Sequence, residues 1–329
     1  MTKSTIAREY RKKHPDMPTL KLARIMYDEN NLLFKDVEDA RFKLRYIEGK
    51  TGKGRNYAAV KATEFLKEEA RPYNPYNLPK SEETAYTPFI IKGFKRVGIL
   101  SDIHLPYHNI DSLTVAISYL KNEKVDALLL NGDTIDCYHL SRFSKDPKQR
   151  DFKYELDTLK AFMEVIDKEL ACKVFFKVGN HEVRYEKFLL EKAHELKGIE
   201  EFEFENIIKA RAKGIDIIAS TRYMKLNSLN GIHGHEYFGI TSPVNIARGL
   251  YTKGKVSAFQ GHNHASSEHT ETDMNGKITT TWSVGCLCEL NPTYMPLNRW
   301  NHGFAVVDLD ENGEDFHFHN KRIYKGKIL

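Results

Sequence analysis

The hydrophobic pattern changes period partway along the chain. Over roughly the first fifty residues, apolar positions recur every three or four, the spacing of one helix face. Ser4 is the candidate cap of a first helix and Thr19 of a second, in which Leu20, Ala23, Ile25 and Met26 form an apolar stripe. A third helix begins near Asp36 and carries Val37, Ala40, Leu44 and Ile47, with Arg41, Lys43 and Arg45 on its other positions. The basic run Gly49-Lys50-Thr51-Gly52-Lys53-Gly54-Arg55 stops it. That run is not a phosphate-binding loop, because no apolar strand leads into it and the G-x-x-x-x-G-K-[ST] spacing is absent.

Between Arg71 and Gly93, Pro72, Pro75 and Pro79 stand among Asn, Tyr, Ser and Glu, which predicts an extended linker. The expected organisation is a helical module over 1–71, a linker over 72–93 and a second domain over 94–329. Past Arg96, short apolar runs alternate with amphipathic stretches. Val97–Leu100, Ala127–Leu130 and Val174–Val178 read as buried strands. Ser112–Lys121, a longer stretch carrying Leu159, Phe162, Ile166 and Leu170, and Glu182–Leu196 read as helices. Thr279–Val284 and Phe304–Leu309 are strand-like, with a hairpin at Asn312-Gly313. This alternation predicts an α/β architecture.

Hydrophobic residues make up 41% of the 329 positions, enough for a full core. No apolar stretch approaches the roughly 18 residues that cross a bilayer. Met1-Thr2-Lys3-Ser4 runs into charged residues without an apolar signal region, so a cytoplasmic protein with no membrane partner is expected. Cys137, Cys172, Cys286 and Cys288 are too few and too scattered for a disulfide framework and read as reduced thiols. Cys286-x-Cys288 is closer than the usual metal-site pair and lacks two further ligands nearby.

The net charge of +5 is unevenly placed. Residues 1–71 hold 17 Lys and Arg against 11 Asp and Glu, a balance of +6; the remainder holds 33 against 34, or −1. Three small helices with a basic last one resemble a helix-turn-helix module, which makes nucleic acid the candidate partner of this segment. An ordinary solvated helix face is the alternative.

The chemistry stands at the ends of the apolar runs. Val97–Leu100 leads into Ser101-Asp102-Ile103-His104, and Ala127–Leu130 into Asn131-Gly132-Asp133. Val174–Val178 leads into Gly179-Asn180-His181-Glu182, Gly231-Ile232 into His233-Gly234-His235, and Val256–Phe259 into Gly261-His262-Asn263-His264. Ligands of open α/β sheets bind beyond strand carboxyl ends, so five such loops can converge. Asp, Asn and His suit divalent metals of borderline hardness. Asp102 and His104 are two apart, as are His262 and His264, so an extended turn would point both members of each pair the same way. An aspartate can bridge two ions, and two ions about 3.5–4 Å apart can activate water for an in-line phosphoryl displacement.

In this order, Asp102-x-His104, Gly132-Asp133, Gly179-Asn180-His181-Glu182, His233-Gly234 and Gly261-His262-x-His264 resemble the complete signature of calcineurin-like metallophosphoesterases, over roughly residues 94–329. The resemblance implies a four-layer sandwich of two mixed β-sheets flanked by helices. It implies one metal on Asp102, His104 and His264, another on Asn180, His233 and His262, and Asp133 bridging them. It further implies attack on phosphorus by a bridging hydroxide, with His181 stabilising phosphoryl oxygens or protonating the leaving group. The metals expected are two divalent ions, manganese first, with iron, zinc or magnesium as alternatives. Asp136 and His235 are candidates for orienting the ligands, the alternative being polar loop residues with no role. Tyr107-His108 and Tyr138-His139 are candidate cleft residues, whereas Trp300 and Tyr294 read as core or rim.

The family acts on many phosphate esters, so the metal site does not choose a substrate. Protein Ser/Thr phosphatases of this family carry an arginine-glycine pair soon after the second motif. The equivalent Asp133-Thr134-Ile135-Asp136-Cys137-Tyr138 lacks it, although Arg142 lies nearby. With the basic N-terminal segment, and a loose similarity to phage-borne phosphoesterases, the expected activity is a phosphodiesterase or nuclease on nucleic acid. The alternatives are a phosphomonoesterase, a cyclic-nucleotide phosphodiesterase, or a non-catalytic scaffold of the same fold. The last is disfavoured because every motif position, His181 included, is filled.

Overall fold

The computed structural model describes residues 2–51, 76–79, 86–142, 151–237 and 244–329. The chain divides into two compact units, Met1–Thr84 and Ala85–Leu329.

In the first unit, α1 (Lys3–Lys13), α2 (Thr19–Glu29) and α3 (Val37–Ile47) close around Ala7, Leu22, Ala23, Met26, Phe34, Ala40 and Leu44. Asp36 caps α3 by accepting from the Asp39 amide at 2.7 Å, as expected. The other two caps differ. Thr2 rather than Ser4 caps α1, accepting from the Thr5 amide. Thr19 lies inside α2, preceded by Pro18, and its hydroxyl hydrogen-bonds to Glu48, which also pairs with the buried Arg11. Proline fixes the entry to the helix without a side-chain acceptor. The buried stripe of α2 is accordingly Leu22, Ala23 and Met26, and Leu20 is exposed. Residues 30–36 join α2 to α3, a longer link than the roughly three- or four-residue turn of a helix-turn-helix. Gly52 to Arg55, and residues 72–75 and 80–85 of the expected linker, lie outside the described residues.

The second unit contains two mixed sheets. A seven-stranded sheet runs β13-β12-β11-β2-β3-β4-β5, in which β2 (Arg96–Leu100), β3 (Ala127–Asn131), β4 (Lys173–Lys177) and β5 (Asp216–Ile218) are parallel. β11 (His302–Leu309), β12 (Phe316–Tyr324) and β13 (Lys327–Ile328) extend it antiparallel, the first two joined through Asn312-Gly313. A six-stranded sheet runs β1-β6-β7-β8-β10-β9. Its strands are β1 (Phe89–Ile91), β6 (Met224–Leu226), β7 (Leu229–Gly231), β8 (Ala258–Gln260), β9 (Ser267–Thr272) and β10 (Ile278–Ser283). β1 corrects the expected linker over 72–93, because Phe89 and Ile91 pack against the core and β1 pairs in parallel with β6.

The strand runs explain the layering. Val97, Ile99, Ala127 and Leu129 face the second sheet and meet Phe259, Trp282 and Val307 between the sheets. Leu100, Leu128 and Leu130 face the other way, onto α4 (Ile110–Asn122) and α5 (Phe152–Leu170) through Leu120, Leu159, Phe162 and Ile166. Strands covered on both faces read as continuous apolar runs, which is the pattern seen in the sequence. On the far side of the six-stranded sheet, α8 (Ile246–Gly254) packs Leu250 against Ile232 and Ala258. Helix, sheet, sheet, helix: the order is that of a four-layer sandwich. The remaining helices are α6 (Val183–Lys192) and the short α7 (Phe204–Ile207).

Two buried charges link these elements. Lys177, at the end of β4, is fully buried and lies 2.9 Å from Glu236, which follows β7 in the other sheet. Lys177 also donates to the carbonyls of Ala219 and Ser220. Replacing Lys177 by Met strands the Glu236 carboxylate, and equilibrium unfolding should register a loss of about 3–5 kcal/mol. The Lys177→Met/Glu236→Gln pair should recover most of that loss; equal losses in both variants would show that the ion pair is not what matters.

Glu155, on α5, is buried and accepts from the Tyr138 amide at 3.1 Å. Burial and the nearby Asp136 raise its pKa from 4.5 to about 7. The folded protein therefore keeps this carboxyl protonated where the unfolded chain ionises it. The contribution of Glu155 to stability should be full below pH 4.5, fall by at most roughly 3 kcal/mol towards pH 7, and level off above. Glu155→Gln should remove that slope, so its melting temperature rises relative to the parent protein between pH 5 and pH 8. Parallel pH–stability curves would refute this.

Candidate metal centre

The carboxyl ends of β2, β3, β4, β7 and β8 open onto one rim, and each contributes a loop to it. Asp102 and His104 follow β2, Asp133 follows β3, Asn180 and His181 follow β4, His233 follows β7, and His262 and His264 follow β8. The loops are not the extended turns that the two-residue spacing predicts. Asp102, His104, Asp133, His262 and His264 all have φ between +50° and +65°, the left-handed region. That conformation is uncommon for residues with a Cβ and gathers at functional sites. It turns each side chain back towards the cluster close to the end of its strand. Glycine supplies the remaining room: a Cβ on Gly132, itself at φ +85°, would meet the His233 ring, and one on Gly261 would meet Ser101 and the Asp102 carboxylate.

The donor atoms fall into two neighbouring groups. His264 Nε2 lies 3.1 Å from His104 Nε2 and 3.3 Å from Asp102 Oδ1. On the other side, His233 Nε2 lies 3.2 Å from Asn180 Oδ1 and 3.2 Å from Asp133 Oδ2. His262 joins that second group, its ring 5.2 Å from the His233 ring. Asp133 Oδ2 reaches towards both groups, at 3.9 Å from His104 Nε2. All eight residues singled out for metal binding or catalysis are therefore brought together.

Their supports fix which ring atoms face inward. His104 Nδ1 donates to Asp136 Oδ2 at 2.9 Å, and His233 Nδ1 donates to the Asn131 carbonyl at 2.7 Å. Both Nε2 atoms are left as lone-pair donors facing oxygen or nitrogen lone pairs, an arrangement that is repulsive unless a proton or a metal cation sits between them. The carboxylates record the same demand. Burial alone would raise Asp102, Asp133 and Asp136, yet the surrounding histidines hold Asp102 at about 2 and the other two below the ordinary carboxylate range. Burial would likewise lower His233 and His264, but Asp133 and Asp102 push them up to about 10. Cations of borderline hardness fit this donor set and this charge pattern.

Asp136 thus orients a histidine, and its backbone carbonyl also accepts from His181 Nδ1 at 3.0 Å. His235 is placed differently. Its Nδ1 is buried, has no hydrogen-bond partner and lies 3.5 Å from Glu236 Oε2; burial and the Lys177 and His233 charges lower its pKa to about 4, outweighing Glu236. Tyr107 and Tyr138 meet edge to face beside the centre.

Several contributors are given no role by the sequence, although Glu182 stands within a motif. Glu182 accepts backbone N–H bonds from Gly179, Asp133, Thr134 and Ile135. Glu236 accepts from the amides of His233 and Gly234. Trp300, read as core or rim, lies with its ring 4.1 Å from that of His264, and Cys288 Sγ is 3.8 Å from His264 Nδ1. Arg184 lies 3.0 Å from His181 Nε2. Of these, Arg184 has a usable signal: three residues after His181 at a helix start, it lies within reach of the same place. All four cysteines are free.

Comparison with known proteins follows this geometry. The sequence model described as calcineurin-like phosphoesterase matches residues 95–282, more than half of the chain. The gene 54 protein of Mycobacterium phage L5 is 24% identical over 230 residues, covering 66% of this chain and 89% of that protein. Among solved structures, Vacuolar Protein Sorting 29 from Cryptosporidium parvum overlaps with a TM-score of 0.40 at 12% identity, covering 72% of this chain and 96% of that one. A dimetal phosphatase from Danio rerio overlaps with a TM-score of 0.37 at 13% identity, covering 69% of this chain and 96% of that one. Among the described residues, no helix is long and apolar enough to cross a membrane. On the match over residues 95–282, the chain belongs to the calcineurin-like phosphoesterase family and is a metal-dependent phosphoric ester hydrolase.

Proposed function

We propose that the protein is a phosphodiesterase acting on nucleic acid, with manganese as its metal. Asp102, His104 and His264 would hold one cation, Asn180, His233 and His262 a second, and Asp133 both. The observation that carries the hydrolytic half is the meeting of His104 Nε2 with His264 Nε2, and of His233 Nε2 with Asp133 and Asn180, each with its proton committed elsewhere or its charge raised. When bound, two such cations lower the pKa of water and draw negative charge from phosphoryl oxygens.

The chain's own groups do the rest. The Asp136 carboxylate and carbonyl hold the rings of His104 and His181, and Glu182 holds the Asp133 turn. His181 keeps its Nδ1 proton on the Asp136 carbonyl and turns Nε2 inward, 3.8 Å from Asp133 Oδ2. Burial and the Arg184 charge lower its pKa, but Asp133 and Asp136 outweigh them and raise it, so once Arg184 no longer donates to Nε2, His181 can hold a proton there for a departing oxygen.

Support for nucleic acid comes from the first unit. The balance of +6 over residues 1–71 is carried partly by α3, where Arg45 is exposed and Lys43 lies beside Phe42, an aromatic ring 51% exposed. Cations next to an open aromatic face suit a phosphate backbone with bases to stack on.

Hydrolysis of bis-p-nitrophenyl phosphate and p-nitrophenyl phosphate with manganese tests the chemistry. Diester cleavage should vanish with EDTA and return with manganese. His181→Ala should lower kcat roughly 100-fold or more with metal content intact, whereas Asp133→Asn should lose bound metal by elemental analysis. Folded, metal-loaded protein that cleaves neither ester would sink the hydrolytic reading, and cleavage of the monoester alone would replace diesterase by monoesterase.

For the module, duplex DNA binding is expected to weaken steeply with salt. Lys43→Glu/Arg45→Glu in the full chain should lower the slope of log K against log salt by roughly 2. An unchanged slope would remove α3 from the interface.

A further inference from the structure

We infer that Arg184 is the residue that grips the substrate's phosphoryl group. This rests on the phosphoesterase reading and adds a binding residue that none of the metal-ligand motifs contains.

Arg184 stands in the first turn of α6, on the segment that follows His181. Its guanidinium lies against the rim of the donor cluster: Nη2 is 3.0 Å from His181 Nε2, and Nη1 donates to the Asp136 carbonyl at 2.9 Å and to Asp136 Oδ1 at 3.3 Å. His181 Nε2 is the same atom that lies 3.8 Å from Asp133 Oδ2. The guanidinium is therefore one side chain away from the carboxylate placed between the two proposed cations.

Its charge is poorly matched where it sits. Two other arginines hold two carboxylates each: Arg96 has Asp308 at 2.5 Å and Glu123 at 2.9 Å, and Arg211 has Glu200 and Glu205. The carboxylate that Arg184 meets is Asp136, at 3.3 Å, and Asp136 already accepts from His104 at 2.9 Å and lies 3.4 Å from His181. The remaining acceptors of Arg184 are a backbone carbonyl and a ring nitrogen, both neutral or shared. An always-charged fork of donors, partly exposed and short of negative charge beside a site for phosphate esters, suits two oxygens of a phosphoryl group. Such a group bonds more strongly to it than a carbonyl and an imidazole do, because the acceptor is itself ionised.

The groups around it are compatible. The Tyr294 ring, 72% exposed, lies 6.4 Å from that of Trp300, which itself lies against His264 at the same rim.

Inorganic phosphate is the probe, with manganese-loaded full-length protein, binding measured by calorimetry and by competitive inhibition of diester cleavage. Arg184→Ala should weaken phosphate roughly 10- to 100-fold and raise KM by a similar factor, with bound metal unchanged. Arg184→Lys should fall between, since an ammonium offers charge without the fork. Phosphate affinity within twofold of the parent in Arg184→Ala would overturn the inference, whatever happens to kcat, because a purely structural Arg184 would lower kcat or melting temperature and leave phosphate alone. Loss of phosphate binding in Arg142→Ala instead would also overturn it, as would parent protein that takes up manganese and binds no phosphate. Failure of the hydrolytic reading looks different: phosphate binds and Arg184→Ala weakens it, but no ester is cleaved.

Discussion

The metal centre depends on one buried carboxylate that binds no metal in any reading of the site. Glu182 accepts from the amides of Gly179, Asp133, Thr134 and Ile135, at 2.8, 3.1, 2.7 and 3.1 Å. Those four N–H groups belong to the loops after β3 and β4 and have turned away from any strand partner. Buried donors of this kind need acceptors, and a single carboxylate supplies them all. Satisfying them fixes the turn that aims Asp133 at the cluster and sets the His181 amide 2.9 Å from Asp133 Oδ1. The arrangement has its own tension. Burial and the Asp133 charge push Glu182 up to about 7, against the pull of the N–H groups, so its ionised form survives only because those donors converge on it.

The same compromise runs through the whole rim. Asp102, Asp133, His104, His233 and His264 are buried together, and burying charge is expensive unless it is paired. Five non-glycine residues also sit in the left-handed region, each at about 1–3 kcal/mol. Pairing of the histidines with the carboxylates offsets part of these terms locally. The rest of the offset comes from the two-sheet core, where Phe259, Val307, Ile99 and Leu129 hold the strands rigid, and from β2, β3 and β4, whose outer faces α4 and α5 cover. The fold is stable enough to hold an unstable rim in place, and a rim held that way can meet a cation without reorganising.

Much of this is legible in the amino-acid sequence. β2, β3 and β4 are buried on both faces, so they show as apolar runs, and the residues after them are polar because a loop at a strand end faces the rim. The five motifs can therefore be read in order, and with them the donor set. What cannot be read has physical reasons. β1, β5 and β6 are three residues long, too short to show a period of two. Left-handed turns at Asp102 and His262 depend on neighbouring loops, so the spacing alone suggests an extended turn. Leu22 rather than Leu20 is buried because Phe34, Ala40 and Leu44 cover that face of α2, a tertiary choice that the spacing does not carry. Trp300 and Cys288 meet the site through tertiary contact alone, and the Lys177–Glu236 pair, though each member adjoins a motif, forms only when the two sheets pack.

The division of labour between the units follows from where their charges lie. In the second unit Lys and Arg are balanced by Asp and Glu, and its histidines and aspartates at the rim are buried and matched to one another. Such a site has little field to spare for attracting a polyanion at a distance. The first unit has the opposite character, with an excess of positive charge on exposed side chains. Screened surface charge raises encounter and affinity but falls off within roughly a Debye length and does nothing to the bond being broken. On the proposed reading, then, the basic helices govern how often and how tightly a strand is held, and the rim governs what happens to a phosphate once it arrives. On the same reading Arg184 would belong to the second category, because a fork of donors beside His181 would act at bonding distance on one phosphoryl group. Selection of a polymer and chemistry on a single ester can therefore vary independently in this chain, which is why an intact metal centre by itself specifies the reaction and not the substrate.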